Sequence, residues 1–351
     1  MNLLEDELNL RLLRYLVSGN GVSVNIRAIS KDMNIHRNTA RRRITSLYKN
    51  NIISPPFYSF PYLYNVYPFL VLAKADMPRT DDLIEFLKDD SHIFAAFSCM
   101  EGPYNTFLIE FFKDLEYYHN WREQIVKEQK IPSREKRAPA DVYIFSNKLM
   151  FKYNPNCFVG QFREEFEKKG FLGIGDFKID RISFHMLENL MKGNYIQRND
   201  SFLSRELEIN RKTIKNHVEM LIEKEIIGKP KCFFPNLFIP PGYNLVVSMI
   251  EARAQKQEFK NYIIENNNIS RAQEASTGRY NILIFSAFKT IEHFFEMGEQ
   301  IMKEFPDSIG AISNIILSSR MIHAIKPQKL SLAFIERKLW DIKKLNVQSG
   351  T

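Results

Sequence analysis

A stretch of nineteen residues occurs twice in this chain, and this repeat limits the possible folds more than any other feature of the sequence. The segment IHRNTARRRITSLYKNNII covers residues 35–53, and INRKTIKNHVEMLIEKEII covers residues 209–227, 174 positions later. The Ile, Arg, Thr and Leu positions and the closing Ile-Ile pair coincide in the two segments. An internal repeat of this kind constrains the fold more strongly than any local pattern within one copy.

The repeat extends through most of the chain. Residues 13–63 align with 187–237 without a gap, and EGPYNTFLIEFF at 101–112 matches TGRYNILIFSAF at 277–288. Further on, VYIFSNKLMFKYNP at 142–155 resembles NIILSSRMIHAIKP at 314–327. The small changes in spacing are those expected of loop insertions. The chain is therefore predicted to consist of two copies of one unit.

Composition narrows the class of protein. The 351 residues are 44% hydrophobic, 26% charged and 13% aromatic, which indicates a globular chain with well-filled cores. We find no apolar run of the roughly 18 residues that a membrane helix needs. Three dispersed Cys favour a reducing, cytoplasmic setting without disulfides or a zinc site. A net charge of +8 allows an anionic partner without proving one.

The first part of each unit shows a helical pattern. Residues 3–17, 23–33 and 36–50 are predicted helices, and Asn34 marks a tight turn before the third. Ala40, Ile44 and Leu47 recur at helical spacing and are predicted to face the core. A Pro- and aromatic-rich connector, SPPFYSFPYLYN, follows as extended chain. Three helices and a strand-like tail predict a winged helix-turn-helix.

The second part of each unit alternates strands and helices. Residues 66–151 follow the order β-α-β-β-α-β, ending in the strand DVYIFSNKLMF, and residues 243–324 repeat that order. This order is typical of a ferredoxin-like domain. The predicted fold class is α+β, with two tandem copies of a winged helix-turn-helix followed by a ferredoxin-like βαββαβ domain. The predicted boundaries are 1–55 and 64–155 for the first copy, 156–175 for a linker, 176–236 and 240–328 for the second copy, and 329–351 for a C-terminal helix.

With these residues in place, the chain resembles the Lrp/AsnC ("feast/famine") transcriptional regulators in a tandem duplicated form. The helix-turn-helix pattern is matched by His36, Thr39, Ala40, Arg43, Ile44 and Leu47, and in the second copy by Asn210, Thr213, Ile214, His217, Val218 and Leu221. The G-x-[YF]-D signature of the family is matched by Gly102, Tyr104 and Asn105, and by Gly278, Tyr280 and Asn281. Two departures stand out: the acidic residue of the signature is Asn in both copies, and the helix-turn-helix Arg is His217 in the second. The resemblance implies DNA binding and self-association through the ferredoxin-like domains.

Candidate DNA-contacting residues cluster on the two predicted recognition helices, because the N-terminal end of such a helix meets base edges in the major groove. Asn38 is suited to adenine and Arg37 or Arg41 to guanine, whereas Arg42 is better placed for phosphate. For Arg43 two alternatives are open: a backbone phosphate, or an acid of its own domain. The full predicted set is His36, Arg37, Asn38, Thr39, Arg41, Arg42, Arg43, Asn210, Arg211, Lys212, Thr213, Lys215 and Asn216.

The two copies are unequal in charge. Residues 27–50 contain seven Lys or Arg and one acid, a balance of +6, whereas residues 201–224 contain five and four, a balance of +1. Salt-dependent affinity for DNA is therefore expected mainly from the first copy.

A small-molecule effector is one interpretation of the G-x-Y-N segments, at Gly102, Tyr104, Asn105, Gly278, Tyr280 and Asn281. The other interpretation, which the sequence favours, is that Gly102 and Gly278 are hairpin glycines that need a positive φ. No pair of the seven His has a convincing metal spacing. We expect no catalytic residues, no metal and no cofactor.

The predicted function is a transcriptional regulator that reads two half-sites of double-stranded DNA, and the chain is predicted not to be an enzyme. One alternative is an enzyme of the siroheme decarboxylase type, since those enzymes are similar to Lrp/AsnC proteins and come as paired or fused units. Its candidate residues are His92, His323, Arg271 and Arg279. The other alternative is a ligand-sensing assembly protein that does not bind DNA.

Overall fold

A computed structural model gives the architecture of the chain. It describes residues 3–18, 26–50, 52–53, 67–78, 80–101, 104–127, 141–153, 158–174, 177–191, 200–224, 226, 242–253, 256–275, 278–325 and 329–348. The predicted wing of each helix-turn-helix and Gly102 lie outside these residues.

The described residues form helices and strands in the following chain order. The helices are α1 (Glu7–Ser18), α2 (Ile26–Asp32), α3 (Arg37–Lys49), α4 (Asp81–Asp89), α5 (Leu115–Lys127), α6 (Phe158–Lys169), α7 (Arg181–Met191), α8 (Asp200–Glu206), α9 (Arg211–Glu223), α10 (Lys256–Glu265), α11 (Ile291–Glu304) and α12 (Lys329–Gln348). The strands are β1 (Phe69–Ala75), β2 (Ile93–Glu101), β3 (Tyr104–Phe112), β4 (Asp141–Ser146), β5 (Met150–Tyr153), β6 (Leu172–Ile174), β7 (Phe177–Ile179), β8 (Asn244–Ala252), β9 (Ile269–Glu274), β10 (Ile282–Phe288), β11 (Ile309–Ser318) and β12 (Ile322–Ile325).

The chain divides into two compact units. One unit comprises Met1–Leu63, Glu164–Phe234 and Pro327–Thr351, and the other comprises Tyr64–Arg163 and Pro235–Lys326. The first unit therefore collects the helical parts of both repeats, and the second collects both sheets.

In the helical unit, α1–α3 form module 1 and α7–α9 form module 2. The core-facing residues predicted for α3 are buried, as is Ile29 of α2. Asn34 ends α2 with a φ of 52°, and the Ile35 N–H bonds the Ser30 carbonyl at 2.9 Å. Module 2 repeats this turn at Glu208, with a φ of 54°. In each module, a residue with a left-handed backbone conformation thus occupies the equivalent position in the turn before the third helix.

Two further elements belong to the helical unit. The long helix α12 packs on α1. A two-stranded antiparallel sheet joins β6 to β7, so Gly173 of the predicted linker lies in a strand.

The sheet unit contains two five-stranded antiparallel sheets. Their strand orders are β12-β2-β3-β1-β4 and β11-β8-β10-β9-β5. The helices α4 and α5 cover an apolar cluster on the first sheet that includes Leu87, Leu108 and Phe112. The helices α10 and α11 cover the corresponding cluster on the second sheet. The prediction of a mixed α+β chain is confirmed.

The last strand of each repeat is broken, and the prediction of one continuous final strand is wrong. A short 3-10 turn, Asn147–Leu149, separates β4 from β5, and Ser319–Met321 separates β11 from β12. Each turn is capped by a serine, Ser146 and Ser318, whose Oγ accepts a backbone N–H two residues on, at 3.2 and 3.3 Å.

Beyond each break, the chain changes sheets. The strand β5 of the first repeat pairs with β9 of the second, and β12 of the second pairs with β2 of the first. The two repeats therefore exchange their last strands.

Among the described helices, none combines the length and the apolar character that crossing a membrane requires.

Candidate nucleic-acid interface

The third helix of module 1 presents an exposed, positively charged N-terminal end. His36 precedes the helix, and its Nδ1 accepts the N–H of Asn38 at 3.2 Å, so this imidazole caps the helix. The guanidinium groups of Arg37, Arg41 and Arg42 are exposed and form no ion pair with any described residue. Asn38 is also exposed, and Thr39 is half-buried. Free guanidinium groups on one helix end can serve either base edges or phosphates.

Arg43 differs from its neighbours. Its Nη1 lies 2.8 Å from Oδ2 of Asp6 and donates to Oδ1 of Asn9 at 2.7 Å. Burial raises the pKa of Asp6, but hydrogen bonds from Arg43 and from backbone N–H groups outweigh it and hold that pKa below its ordinary value. Arg43 therefore pairs with an acid of its own module, the second of the two alternatives that the sequence left open.

Module 2 has the same arrangement of three helices as module 1, but its third helix has fewer unpaired cationic side chains among the described residues. Oδ1 of Asn210 accepts the N–H of Lys212 at 2.8 Å and so caps α9 as His36 caps α3. The exposed residues are Arg211, Lys212, Lys215 and Asn216, and Thr213 is half-buried. Lys215 lies 3.6 Å from Glu219 one turn on, both exposed, which reduces its positive field.

The Asn residues of the two signature segments have a structural task. Asn105 accepts the Met77 N–H at 2.8 Å and donates to the Met77 carbonyl at 2.7 Å. Asn281 makes the same two bonds with Ala252, both at 2.8 Å. A side-chain amide can accept and donate at once in this way, whereas an ionised Asp can only accept. Asn at these two positions therefore makes a pair of bonds of which an ionised Asp could make only one.

The other described signature positions are a glycine and two tyrosines. Gly278 has a φ of 98°, the conformation that the hairpin interpretation requires. Tyr104 and Tyr280 are half-buried, and the Tyr280 ring packs edge-on against Tyr143 at 6.0 Å.

The four residues considered for an enzyme are placed differently from one another. His92 stacks on Phe112 at 4.9 Å and lies 3.5 Å from Asp90. Arg271 is fully buried and hydrogen-bonds Asn147 and Gln273. His323 is half-buried with Nε2 2.7 Å from Oγ of Ser98, and Arg279 is exposed 3.3 Å from Glu251. Of the four, only Arg271 is buried, and both histidines are half-buried.

Sequence reasoning missed one buried acid. Glu110, on β3, is fully buried, and neither carboxylate oxygen has a hydrogen-bond partner among the described residues. Burial raises its pKa well above the ordinary value, the Asp90 charge raises it further, and Arg122 opposes the change. The available signal was a single Glu inside the apolar strand YNTFLIEFF.

Within the part of the chain that the structure describes, no three His, Cys, Asp or Glu side chains form a metal-binding group. No family model matches the sequence, and no curated protein matches it.

Solved structures do resemble the chain, at low similarity. Siroheme decarboxylase NirDL matches at 11% identity over 96% of this chain and 100% of its own, with a TM-score of 0.38. LrpC of B. subtilis matches at 17% identity over 41% of this chain and 96% of its own, with a TM-score of 0.20. A transcriptional regulator from Neisseria meningitidis, solved with L-Met, matches at 11% identity over 42% of this chain and 95% of its own, with a TM-score of 0.22.

The prediction that the chain is not an enzyme is wrong, since a solved enzyme, siroheme decarboxylase, matches nearly the whole chain. The likeness to Lrp/AsnC regulators recurs over about two-fifths of the chain. At these identities and TM-scores, neither likeness transfers an activity or a ligand.

Proposed function

We propose that the chain binds double-stranded DNA through the two third helices. The observation that carries this proposal is the exposure of Arg37, Arg41 and Arg42 without an ion-pair partner among the described residues. A guanidinium group held by a carboxylate would have to break that pair before it met DNA, whereas these three have no such pair within the described part of the chain. Arg pairs bidentately with guanine edges, and phosphates accept from any of the three.

The tandem arrangement supports a division of labour between the modules. Module 1 has the larger positive charge and would supply most of the salt-dependent affinity. Module 2 keeps Arg211 and Lys212 exposed and would read a second half-site with less electrostatic help. Because both modules belong to one chain, binding of the first raises the effective concentration of the second. The domain boundaries, the winged form, the cytoplasmic location and self-association through the sheets are part of the same proposal.

The test uses the full-length chain and genomic fragments. Fragments bound at low salt are selected, and the dissociation constant is then measured as salt increases. Arg37→Ala or Arg41→Ala is expected to cost about 1–3 kcal/mol if a base contact is lost. Arg42→Ala is expected to reduce the slope of log K against log salt by about 1, because one phosphate contact is lost.

Arg320→Ala is the matched control, since Arg320 is an exposed arginine in the sheet unit. It is expected to leave both the affinity and the salt slope unchanged. An absence of binding at low salt would overturn the proposal. Equal affinities for wild type, Arg37→Ala and Arg41→Ala would show that another surface binds the DNA.

An enzyme of the siroheme decarboxylase type is the second candidate. The observation that favours it is that His323 is half-buried and Arg279 is exposed in the sheet unit. A tetrapyrrole carboxylate would meet Arg279 only by replacing Glu251, which lies 3.3 Å from it. Its test is a titration of the full chain with siroheme, followed by absorbance and by product analysis. Decarboxylation that is lost in both His323→Ala and Arg279→Ala would establish it. Unchanged absorbance and no product would remove it.

A further inference from the structure

A set of three polar residues links the first and third helices of module 1, and we call it clamp 1. It consists of Asp6, Asn9 and Arg43. Asp6 precedes α1, and its Oδ1 accepts the N–H of Asn9 at 3.0 Å, which caps the helix. The same carboxylate holds Arg43 of α3 at 2.8 Å, and Arg43 also reaches the Asn9 side chain. One carboxylate therefore begins α1 and holds α3.

The second repeat contains a corresponding set, clamp 2, with every member 174 residues later. It consists of Asp180, Ser183 and His217. Oδ1 of Asp180 accepts the N–H of Ser183 at 2.8 Å and caps α7. Oγ of Ser183 lies 2.8 Å from Nδ1 of His217, and Asp180 lies 3.9 Å from that nitrogen. The linkage has thus been kept although two of its three residue types differ between the repeats.

The direction of the Arg43 side chain separates it from the DNA-facing residues. At 3.6 residues per turn, Arg43 points about 160° away from Arg41 and about 120° away from Arg37 around the helix axis. Its side chain is about a quarter exposed, whereas Arg37 and Arg41 are exposed. A side chain that faces α1 cannot enter the groove that the opposite face of α3 would occupy.

We infer that Arg43 and His217 are positioning residues, which fix the angle of each DNA-facing helix against the capped start of its first helix. This inference rests on the proposed function, and it assigns to Arg43 a different role from the DNA contact that its sequence position suggested. The two clamps are unequal. A guanidinium group is always charged and offers several donors, whereas an imidazole is charged only when protonated. Clamp 1 consequently holds its helix more firmly than clamp 2.

The first test compares two substitutions that remove the same charge. Asp6→Asn and Glu7→Gln each make the full chain more positive by one, on adjacent residues, and Glu7 is an exposed acid outside the clamp. If only the field of the protein mattered, both would strengthen DNA binding. A positioning role predicts that Asp6→Asn weakens binding, by about tenfold if one charged hydrogen bond is lost, while Glu7→Gln binds as well as wild type or better.

The second test separates positioning from phosphate contact. Arg43→Met is expected to lower the affinity while leaving the slope of log K against log salt unchanged, because no contact with DNA is removed. Loss of a phosphate contact would instead reduce that slope by about 0.9. Arg43→Lys is expected to recover part of the affinity, since it restores the charge beside Asp6. Hydrogen exchange of the α3 amides is expected to be about tenfold faster in Asp6→Asn than in Glu7→Gln.

These outcomes keep the two proposals apart. If wild type does not bind DNA, the proposed function fails, and the exchange measurement still decides whether the clamp holds α3. If wild type binds and Asp6→Asn binds as tightly as Glu7→Gln, the positioning role is overturned. A reduced salt slope in Arg43→Met would return Arg43 to the DNA-contacting set. Circular dichroism checks that each variant is folded.

Discussion

Glu110→Gln offers a test of the buried acid in the first sheet, and its result depends on pH. In the native protein this carboxyl group has no access to solvent and no hydrogen-bond partner among the described residues. Burial, followed by the Asp90 charge, raises its pKa well above the ordinary value. The folded state therefore binds a proton more tightly at this group than the unfolded chain does.

The sign of the effect follows from this difference in proton binding. The stabilisation of the folded state by the protonated acid is fully present below the unfolded pKa of about 4.3 and is lost as the pH rises through the folded pKa. Over that range the free energy of unfolding falls by up to about 1.4 kcal/mol for each pH unit. Gln cannot ionise, so the variant lacks this loss. The stability of the variant relative to wild type should therefore increase with pH above the unfolded pKa.

The assay is urea denaturation of the full chain at several pH values between 4 and 8, with Glu85→Gln as the control. Glu85 is an exposed acid on α4, in the helical layer that covers the same sheet. Its substitution should leave the pH dependence of wild type unchanged. A gap between Glu110→Gln and wild type that stays constant or narrows as the pH rises would refute the reasoning. Such a result would mean that the carboxylate is ionised and stabilised by Arg122 in the folded protein.

Two other substitutions test the contacts that define the sheet unit. Asn281→Asp removes the donor to the Ala252 carbonyl and should lower the free energy of unfolding by about 1–3 kcal/mol, with Asn120→Asp on the exposed face of α5 as the control. Equal midpoints in urea for the two variants would contradict this. Lys152→Met keeps the apolar stem but removes the ammonium that donates to the carbonyls of Ile263 and Asn266 at 2.7 and 2.6 Å, at a cost of about 1.5–3 kcal/mol. Exposed Lys148→Met is its control, and an unchanged midpoint for Lys152→Met would mean that this cation does not help to hold β5 on the second sheet.

The sequence predicted the helices of the modules well because their signals are local. The predicted third helix, 36–50, differs by one residue at each end from Arg37–Lys49. Its inward residues are buried, and the turn at Asn34 is present. Both features depend on residues within one or two turns of the chain, and spacing alone is enough to indicate them.

The exchange of final strands could not be predicted in the same way. The segment DVYIFSNKLMF and the corresponding residues of the second repeat have the hydrophobic pattern of continuous strands. That pattern does not indicate which sheet each strand joins. The break is set by Ser146 and Ser318, which cap the two 3-10 turns. A serine at equivalent positions of both repeats was the available signal. The partner strand depends on contacts more than 100 positions away, as between Lys152 and Ala272.

The sequence predicted where the candidate DNA-contacting residues lie, but it did not predict the role of each one. The exposed set Arg37, Arg41 and Arg42 follows from helical spacing, since each lies away from the apolar stripe. The pairing of Arg43 with Asp6 does not follow, because the two residues are 37 positions apart in sequence and meet only after α1 and α3 have packed. His36 and Asn210 act as helix caps, which removes part of their capacity to contact DNA.

The duplication also separates what the fold needs from what each copy does. Asn105 and Asn281 keep the same two hydrogen bonds, and Asp6 and Asp180 keep the same cap, so these groups serve the fold. Glu110 is different, because Ser286 occupies its place on the corresponding strand of the second sheet and donates to the Val246 carbonyl. The second sheet forms without a buried acid at that position, so the fold does not require one. The first sheet thus contains a buried acid, unpartnered among the described residues, that the corresponding strand of the second sheet lacks, and a function specific to one repeat is best sought there.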